Sequence, residues 1–254
     1  MGTSRTVADL ISRVSSDPGR PRITWYAAGG ERVELSGRVL ENWVAKTTNM
    51  LVEEFDAGPG VRVLLDMPTH WKQVVWALSV WRAGATLVLV DDIAEFAGPM
   101  PDVVVTSQPE LWTEVPRATR VIAIALPSLA RSWDGELPRG IVDGVAEIPL
   151  FDDILGWTTE ATAQDIAVEH IGGRDRTYGE LLGYAATFAE GRYRDELLPR
   201  MLISDRGPYK SLFSVIGILG RNGSAVLLDA EESAALGEDS VRRERLIEME
   251  RITV

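Results

Sequence analysis

Two histidines, three lysines and no cysteine limit the chemistry open to this 254-residue chain. Without cysteine there is no disulfide, no thiolate nucleophile and no Cys-based zinc or iron–sulfur site. His70 and His170 are too few for a His-rich metal site, and no metal ligand set is expected. Each stands near a predicted strand end, where open α/β sheets bind ligands, so each is a candidate ligand-binding residue. A hydrogen-bonded structural histidine is the plainer reading of both. Gly172-Gly173-Arg174-x-Arg176 has the composition of an anion site at a helix N-terminus, and equally that of a tight turn with exposed arginines. Asp91-Asp92 and Asp229 follow strands and are cation candidates, although caps and turns are the commoner use of such residues. There is no G-x-S-x-G nucleophile elbow and no G-x-G-x-x-G dinucleotide fingerprint. No catalytic residue is assigned.

The elements that must position these residues alternate along the chain. Val7, Leu10, Ile11 and Val14 have helical spacing. Ile23–Tyr26 and Arg32–Leu35 flank Gly29-Gly30, a hairpin signal. Ser36 can cap a helix running to about Phe55, which Gly58-Pro59-Gly60 stops. Val61–Leu65 and Thr86–Val90 read as buried strands on either side of a helix from Trp71 to Arg82 that is apolar nearly all round. That is a βαβ unit. Trp71, Trp76 and Trp81 do not form one stripe, because a spacing of five turns each about 140° from the last. Pro101–Thr106 and Val121–Leu126 predict two more strands. Residues 127–156, rich in Pro and Gly, read as a connection. Ile166–Ile171 is predicted to open a second lobe, and Thr177-x-x-Glu180 has the capping-box pattern ahead of a helix through Ala189.

A repeat organises the whole. Residues 63–91 and 201–229 align without a gap: strand, polar turn, aromatic-Lys (Trp71-Lys72 and Tyr209-Lys210), apolar helix, Gly-containing joint, apolar strand, Asp. The expectation is α/β, two pseudo-repeated α/β/α lobes with mainly parallel sheets: a first lobe over 1–126, a connection over 127–164 and a second lobe over 165–254, together one structural domain.

Charge narrows the partners. The formal net charge is −12, from 26 basic and 38 acidic side chains, which repels phosphate backbones, so no nucleic acid is expected. No run approaches the ~18 apolar residues of a membrane span, and no signal-peptide core opens the chain, so a cytoplasmic protein with no membrane partner is expected.

The order of these elements over Leu35–Val90, with their Gly/Pro punctuation (Gly58-Pro59-Gly60, Met67-Pro68-Thr69, Ala83-Gly84-Ala85), resembles the opening of the adenylate-forming ligases, the acyl-CoA synthetase and luciferase superfamily. The chain as a whole resembles the first half of such an enzyme, and the short stand-alone actinobacterial proteins of that kind. The resemblance implies tandem similar subdomains. It also implies a Ser/Thr- and Gly-rich triphosphate loop ending in Pro-Lys, where this chain reads Ile166–Thr177, IAVEHIGGRDRT. Gly172-Gly173 and two arginines are kept, while the hydroxyl run and the Pro-Lys are lost. The family's aromatic-Gly-x-Thr-Glu motif is absent. Its histidine in the second subdomain turn is replaced in Ser204-Asp205-Arg206-Gly207-Pro208-Tyr209, and no lysine follows Lys210 to serve as a lid lysine.

Adenylation needs a fixed Lys or Mg²⁺ as pyrophosphate leaves. The resemblance therefore implies a chain without autonomous activity. The candidate ligand-binding residues are His70, His170, Gly172, Gly173, Arg174, Arg206 and Tyr209. The cofactor stays unassigned, with ATP and AMP disfavoured by the altered loop. Three roles are open: binding a small acyl or nucleotide ligand, or a protein partner, without turnover; half an enzyme for ATP-dependent carboxylate activation, completed by a partner chain; or an assembly role as a homodimer.

Overall fold

The computed structural model describes residues 5–90, 93–96, 98–171, 173–189 and 198–253. The chain divides into two compact units that alternate along it. One comprises Met1–Glu41, Pro68–Val74 and Leu182–Val254, the other Asn42–Met67 and Val75–Leu181.

The first unit is built on a four-stranded sheet. Helix α1 (Val7–Ser15) begins at Thr6, where Thr6 and Asp9 form a full capping box. Strands β1 (Pro21–Ala27) and β2 (Glu31–Ser36) make the expected hairpin, with Gly29 and Gly30 at φ +80° and +85°, a region that glycine enters without steric cost. Ser36 then accepts from the Val39 N–H at 3.3 Å to start α2 (Gly37–Phe55), which belongs to the second unit from Asn42 onward. Later in the chain β10 (Arg200–Ile203), α6 (Pro208–Gly220) and β11 (Ser224–Leu228) form a βαβ unit, followed by α7 (Ala230–Glu238) and α8 (Ser240–Met249). The strand order is β10-β11-β1-β2, parallel except for β2. Val226, Leu228, Leu236 and Leu246 are the buried centre, with Tyr26, Leu202 and Ile252 packed on them.

The second unit holds a seven-stranded sheet. Its strands are β3 (Arg62–Asp66), β4 (Thr86–Leu89), β5 (Val103–Thr106), β6 (Arg120–Ala123), β7 (Ile141–Asp143), β8 (Ile166–His170) and β9 (Arg176–Thr177). Helix α3 (Trp71–Arg82), which belongs to this unit from Val75 onward, links β3 to β4; α4 (Gly144–Glu147) follows β7, and α5 (Tyr178–Thr187), in this unit up to Leu181, follows β9. The order is β7-β6-β5-β3-β4-β8-β9, with only β9 antiparallel. Trp71, Trp76 and Trp81 are all buried, as a helix apolar on every side requires. The Ala83-Gly84-Ala85 turn needs its glycine. Gly84 sits at φ +85°, and a Cβ there would lie 2.5 Å from the Thr159 carbonyl oxygen.

The repeat is visible in strand register. The offset of 138 residues that aligns Val63 with Met201 carries the pairs Arg62↔Thr86, Val63↔Leu87 and Leu64↔Val88 onto Arg200↔Ser224, Met201↔Ala225 and Leu202↔Val226. Both βαβ units thus join neighbouring parallel strands with the same crossover length.

Three expectations need correction. The units are not the contiguous stretches 1–126 and 165–254. Strand β1 pairs with β11, which draws the N-terminal hairpin into the sheet of the second repeat. Strand β8 does not open the second lobe but pairs with β4 in the seven-stranded sheet, where Trp81 Nε1–H donates to the Ala167 carbonyl at 2.9 Å and Thr86 Oγ1 to that of Ile166 at 2.7 Å. The connection over 127–156 also contains β7, which pairs with β6 at the sheet edge. In each case the local pattern named a strand or a loop, but only long-range hydrogen bonding chose its partner.

Candidate functional site

In the second unit, the stretch Ile166–Thr177 is a closed hairpin. Strand β8 ends at His170, and β9 returns antiparallel with Val168 opposite Arg176. The turn is held by its own amides. Gly173 N–H donates to the His170 carbonyl at 2.9 Å, His170 N–H to Asp175 Oδ1 at 3.3 Å, and Ile171 N–H to the Leu89 carbonyl at 3.0 Å. Thr177 N–H donates to Glu180 Oε2 at 3.1 Å, the capping-box bond expected from the sequence. That backbone bond, with the nearby Arg174 and Arg176 charges, holds the Glu180 carboxyl below its usual range. The Arg174 guanidinium pairs with Glu180 at 3.2 Å on the exposed surface. Glu169 on β8 is gripped by Arg62 through two bonds of 2.7 and 2.8 Å, and the Glu169 hydrogen bond raises the Arg62 pKa.

His170 lies over Gly173, where a Cβ would fall 2.0 Å from the imidazole Nδ1. Gly173→Ala should therefore destabilise the protein by about 1–3 kcal/mol, the range for overpacking. In a His170→Ala background the same change should cost much less. A double-mutant cycle on the melting temperature measures this coupling, and additive effects would show that the ring does not demand the glycine. Gly172, Asp91 and Asp92 lie outside the described residues.

The other candidates belong to the first unit, at the carboxyl ends of its parallel strands β1, β10 and β11. His70 is buried, with its ring centroid 4.7 Å from that of Trp25 on β1 and 5.7 Å from that of Trp71. Its Nδ1 accepts the Lys72 N–H at 3.0 Å. Just before it, Thr69 Oγ1 is hydrogen-bonded to Asp205 Oδ1. Asp205 also accepts from Gly207 N–H at 3.1 Å, while its own N–H donates to Ser233 Oγ at 3.0 Å. Arg206 contributes its N–H to Ser211 Oγ at 3.2 Å. Tyr209 is packed among aromatic rings, 4.7 Å from Phe213 and 6.5 Å from Phe188, and its hydroxyl donates to that of Tyr184 at 3.0 Å. Thus His70, Arg206 and Tyr209 share one unit; His170, Gly173 and Arg174 share the other.

Lys72 was not among the candidates, although its Trp71-Lys72 pair marked the repeat. It is 7% exposed, with the ammonium 5.5 Å from the centre of the Trp71 ring. Its repeat counterpart Lys210 is exposed, so the two halves have diverged at this position. Burial lowers the Lys72 pKa from 10.5 to about 8, against the opposing pull of Glu31. The unfolded chain therefore binds the extra proton between pH 8 and 10.5, and stability rises with pH across that window. Below it, holding the charged amine inside costs up to about 3 kcal/mol. Lys72→Met should melt higher than the wild type at pH 7, and the gap should close by pH 10. A constant gap would mean that Lys72 is not charged at a cost inside the fold.

Among the described residues, no cluster of three His, Asp or Glu side chains is arranged to hold a metal ion, and no helix is long and apolar enough to cross a membrane.

No protein-family model matches the chain. A protein of Mycobacterium tuberculosis (strain ATCC 25618 / H37Rv), whose name states a family and no activity, is 35% identical over 152 residues, covering 59% of this chain and 62% of that one. Among solved structures, an acyl-CoA synthetase of Brucella canis superposes with a TM-score of 0.67 at 18% identity, over 88% of this chain and 46% of that one. An acetoacetyl-CoA synthetase from Streptomyces lividans gives 0.70 at 17%, over 88% and 38%. One of the fatty acyl-adenylate ligases from E. coli and L. pneumophila gives 0.70 at 14%, over 100% and 46%. The chain spans less than half the length of these enzymes. Its mostly parallel sheets with flanking helices are the α/β fold of the N-terminal domain of adenylate-forming enzymes.

Proposed function

We propose that this chain works by binding, taking a small acyl-type ligand or a protein partner, and does not form an adenylate by itself. The β8–β9 hairpin carries this reading. A triphosphate grip needs backbone N–H groups and cations turned outward toward the phosphates. Here the N–H groups of His170, Ile171, Gly173 and Thr177 are already used within the unit. The guanidinium groups of Arg62 and Arg174 are paired with Glu169 and Glu180. The His170 ring fills the space beside Gly173 where a Cβ would stand.

ATP–pyrophosphate exchange with a panel of carboxylic acids, alongside thermal shifts with Mg·ATP, AMP and coenzyme A, tests the reading. No exchange and no shift with Mg·ATP are expected. A ligand present at 100 times its Kd stabilises a fold by about 2.7 kcal/mol, which such a shift detects readily. Exchange by the chain alone would overturn the proposal. A nucleotide shift without exchange would favour half an enzyme completed by another chain.

A further inference from the structure

The segment from Glu147 to Glu160, in the second unit, displays apolar side chains that a folded surface ordinarily hides. Leu150, Ile154 and Trp157 are 76%, 79% and 81% exposed within eight residues of chain. Single exposed apolar residues are commonplace. Three so close together, one of them tryptophan, have the composition of an interface centre.

The backbone beneath them is fastened down. Asn49, buried on α2, donates to the carbonyls of Asp152 and Ile154, each at 3.0 Å, and accepts the Gly156 N–H at 2.9 Å. One turn earlier on the same helix, Lys46 Nζ donates to the Phe151 carbonyl. Arg82 Nη1 reaches Thr158 Oγ1 at 3.3 Å, and Ile148 is buried at the start of the segment. The anchors hold main chain at 151, 152, 154 and 156, while the side chains of Ile154 among them and of Leu150 and Trp157 on either side are left in solvent. A surface already rigid loses little conformational entropy when a partner arrives.

Charge indicates the partner. Between Arg139 and Arg174 the chain has no lysine or arginine and seven acidic residues. Asp143, Asp165 and Glu169 are used in hydrogen bonds or an ion pair. Glu147, Asp152, Asp153 and Glu160 are exposed around the apolar residues and form no ion pair among the described residues. A second copy of a chain of net charge −12 would bring like charges together there, and an anionic lipid surface would be repelled. We infer that the Leu150–Trp157 segment is a docking surface for a cationic, amphipathic segment of another protein, whose apolar face covers Leu150, Ile154 and Trp157 while its Lys or Arg residues meet the four carboxylates. This rests on the reading of the chain as a binding protein and names the class of partner.

The test is fluorescence anisotropy with three dye-labelled 18-residue probes: an amphipathic Leu/Lys helix, a scrambled peptide of the same composition, and a Leu/Glu helix. The Leu/Lys helix should bind the full chain and the other two should bind at least about tenfold more weakly. The Ile154→Ala/Trp157→Ala variant should lose at least about tenfold in affinity. Asp152→Asn/Asp153→Asn should weaken binding and flatten its salt dependence. Asn49→Ala, which frees the backbone and leaves the exposed side chains intact, should weaken it too, with melting curves confirming that each variant is folded. Three results would overturn the inference: no binding of the Leu/Lys helix, binding indifferent to Ile154 and Trp157, or a wild-type dimer in sedimentation that the Ile154→Ala/Trp157→Ala change dissolves. Pyrophosphate exchange by the chain is read separately, so a failure of the non-adenylating reading is not confused with a failure of this one.

Discussion

Replacing Arg22 with alanine should lower the free energy of unfolding by about 3–5 kcal/mol, enough to drop the melting temperature by roughly 10 °C or more. Arg22 opens β1 and is 0% exposed. Its Nε donates to the Val14 carbonyl at 3.0 Å, and its Nη1 to the Asn222 carbonyl and side-chain oxygen at 3.0 and 2.8 Å and to the Gly223 carbonyl at 3.3 Å. One guanidinium therefore ties α1, β1 and the α6–β11 turn together. Asn222, at φ 60°, sits in the left-handed region, and its carbonyl also receives Arg20 Nη1 at 3.0 Å. Burial, reinforced by the Arg20 charge and opposed by Asp17, lowers the Arg22 pKa to about 10. Alanine would leave the carbonyls of Val14 and Gly223 without this donor and open a cavity, and each unmet buried acceptor costs about 1–3 kcal/mol. Arg22→Met refills the space but not the bonds, so it should recover only part of the loss. Chemical denaturation measures both, and an alanine variant within 1 kcal/mol of wild type would show that the turn holds without the guanidinium.

Glu250→Gln should cost about 3 kcal/mol near neutral pH, and its effect should fade in acid. Glu250 is buried at the end of α8. It accepts from the Tyr26 hydroxyl on β1, from Arg32 Nε and Nη2 on β2 at 3.1 and 3.0 Å, and from Arg200 Nη2 on β10. Arg200 also reaches Thr24 Oγ1 at 2.8 Å and Ser224 Oγ at 3.2 Å, so the network stitches the end of α8 to all four strands of its sheet. Burial alone would raise the Glu250 pKa, but the bonds from Tyr26, Arg200 and Arg32 outweigh it and hold the carboxyl below its ordinary value of 4.5. A depressed folded pKa stabilises above pH 4.5, and that stabilisation is lost as pH falls through the folded value. The wild type should thus lose stability on acidification more steeply than Glu250→Gln. Parallel acid limbs would show that the charge of Glu250 contributes nothing to this network.

What could be read from residues alone was whatever depends on near neighbours. The hairpin at Gly29-Gly30, the helices Gly37–Phe55 and Trp71–Arg82 and the gapless repeat all follow from periodicity and punctuation that act over one or two turns of chain. That Ile166–Thr177 contains neither a hydroxyl run nor Pro-Lys is legible too, because it is a matter of composition. Tertiary structure alone decided which strands pair. A buried parallel strand is a short apolar run whose partner lies a crossover away, so nothing local distinguishes β8 beside β4 from β8 beginning another sheet, or attaches β1 to β11. It also decided the fate of the polar groups. Arg22, Lys72 and Glu250 look like surface charges in the sequence and are buried by segments that arrive from far along the chain. Trp157 is left exposed beside a backbone that Asn49 and Lys46 fasten at 151, 152, 154 and 156, contacts that no local pattern announces.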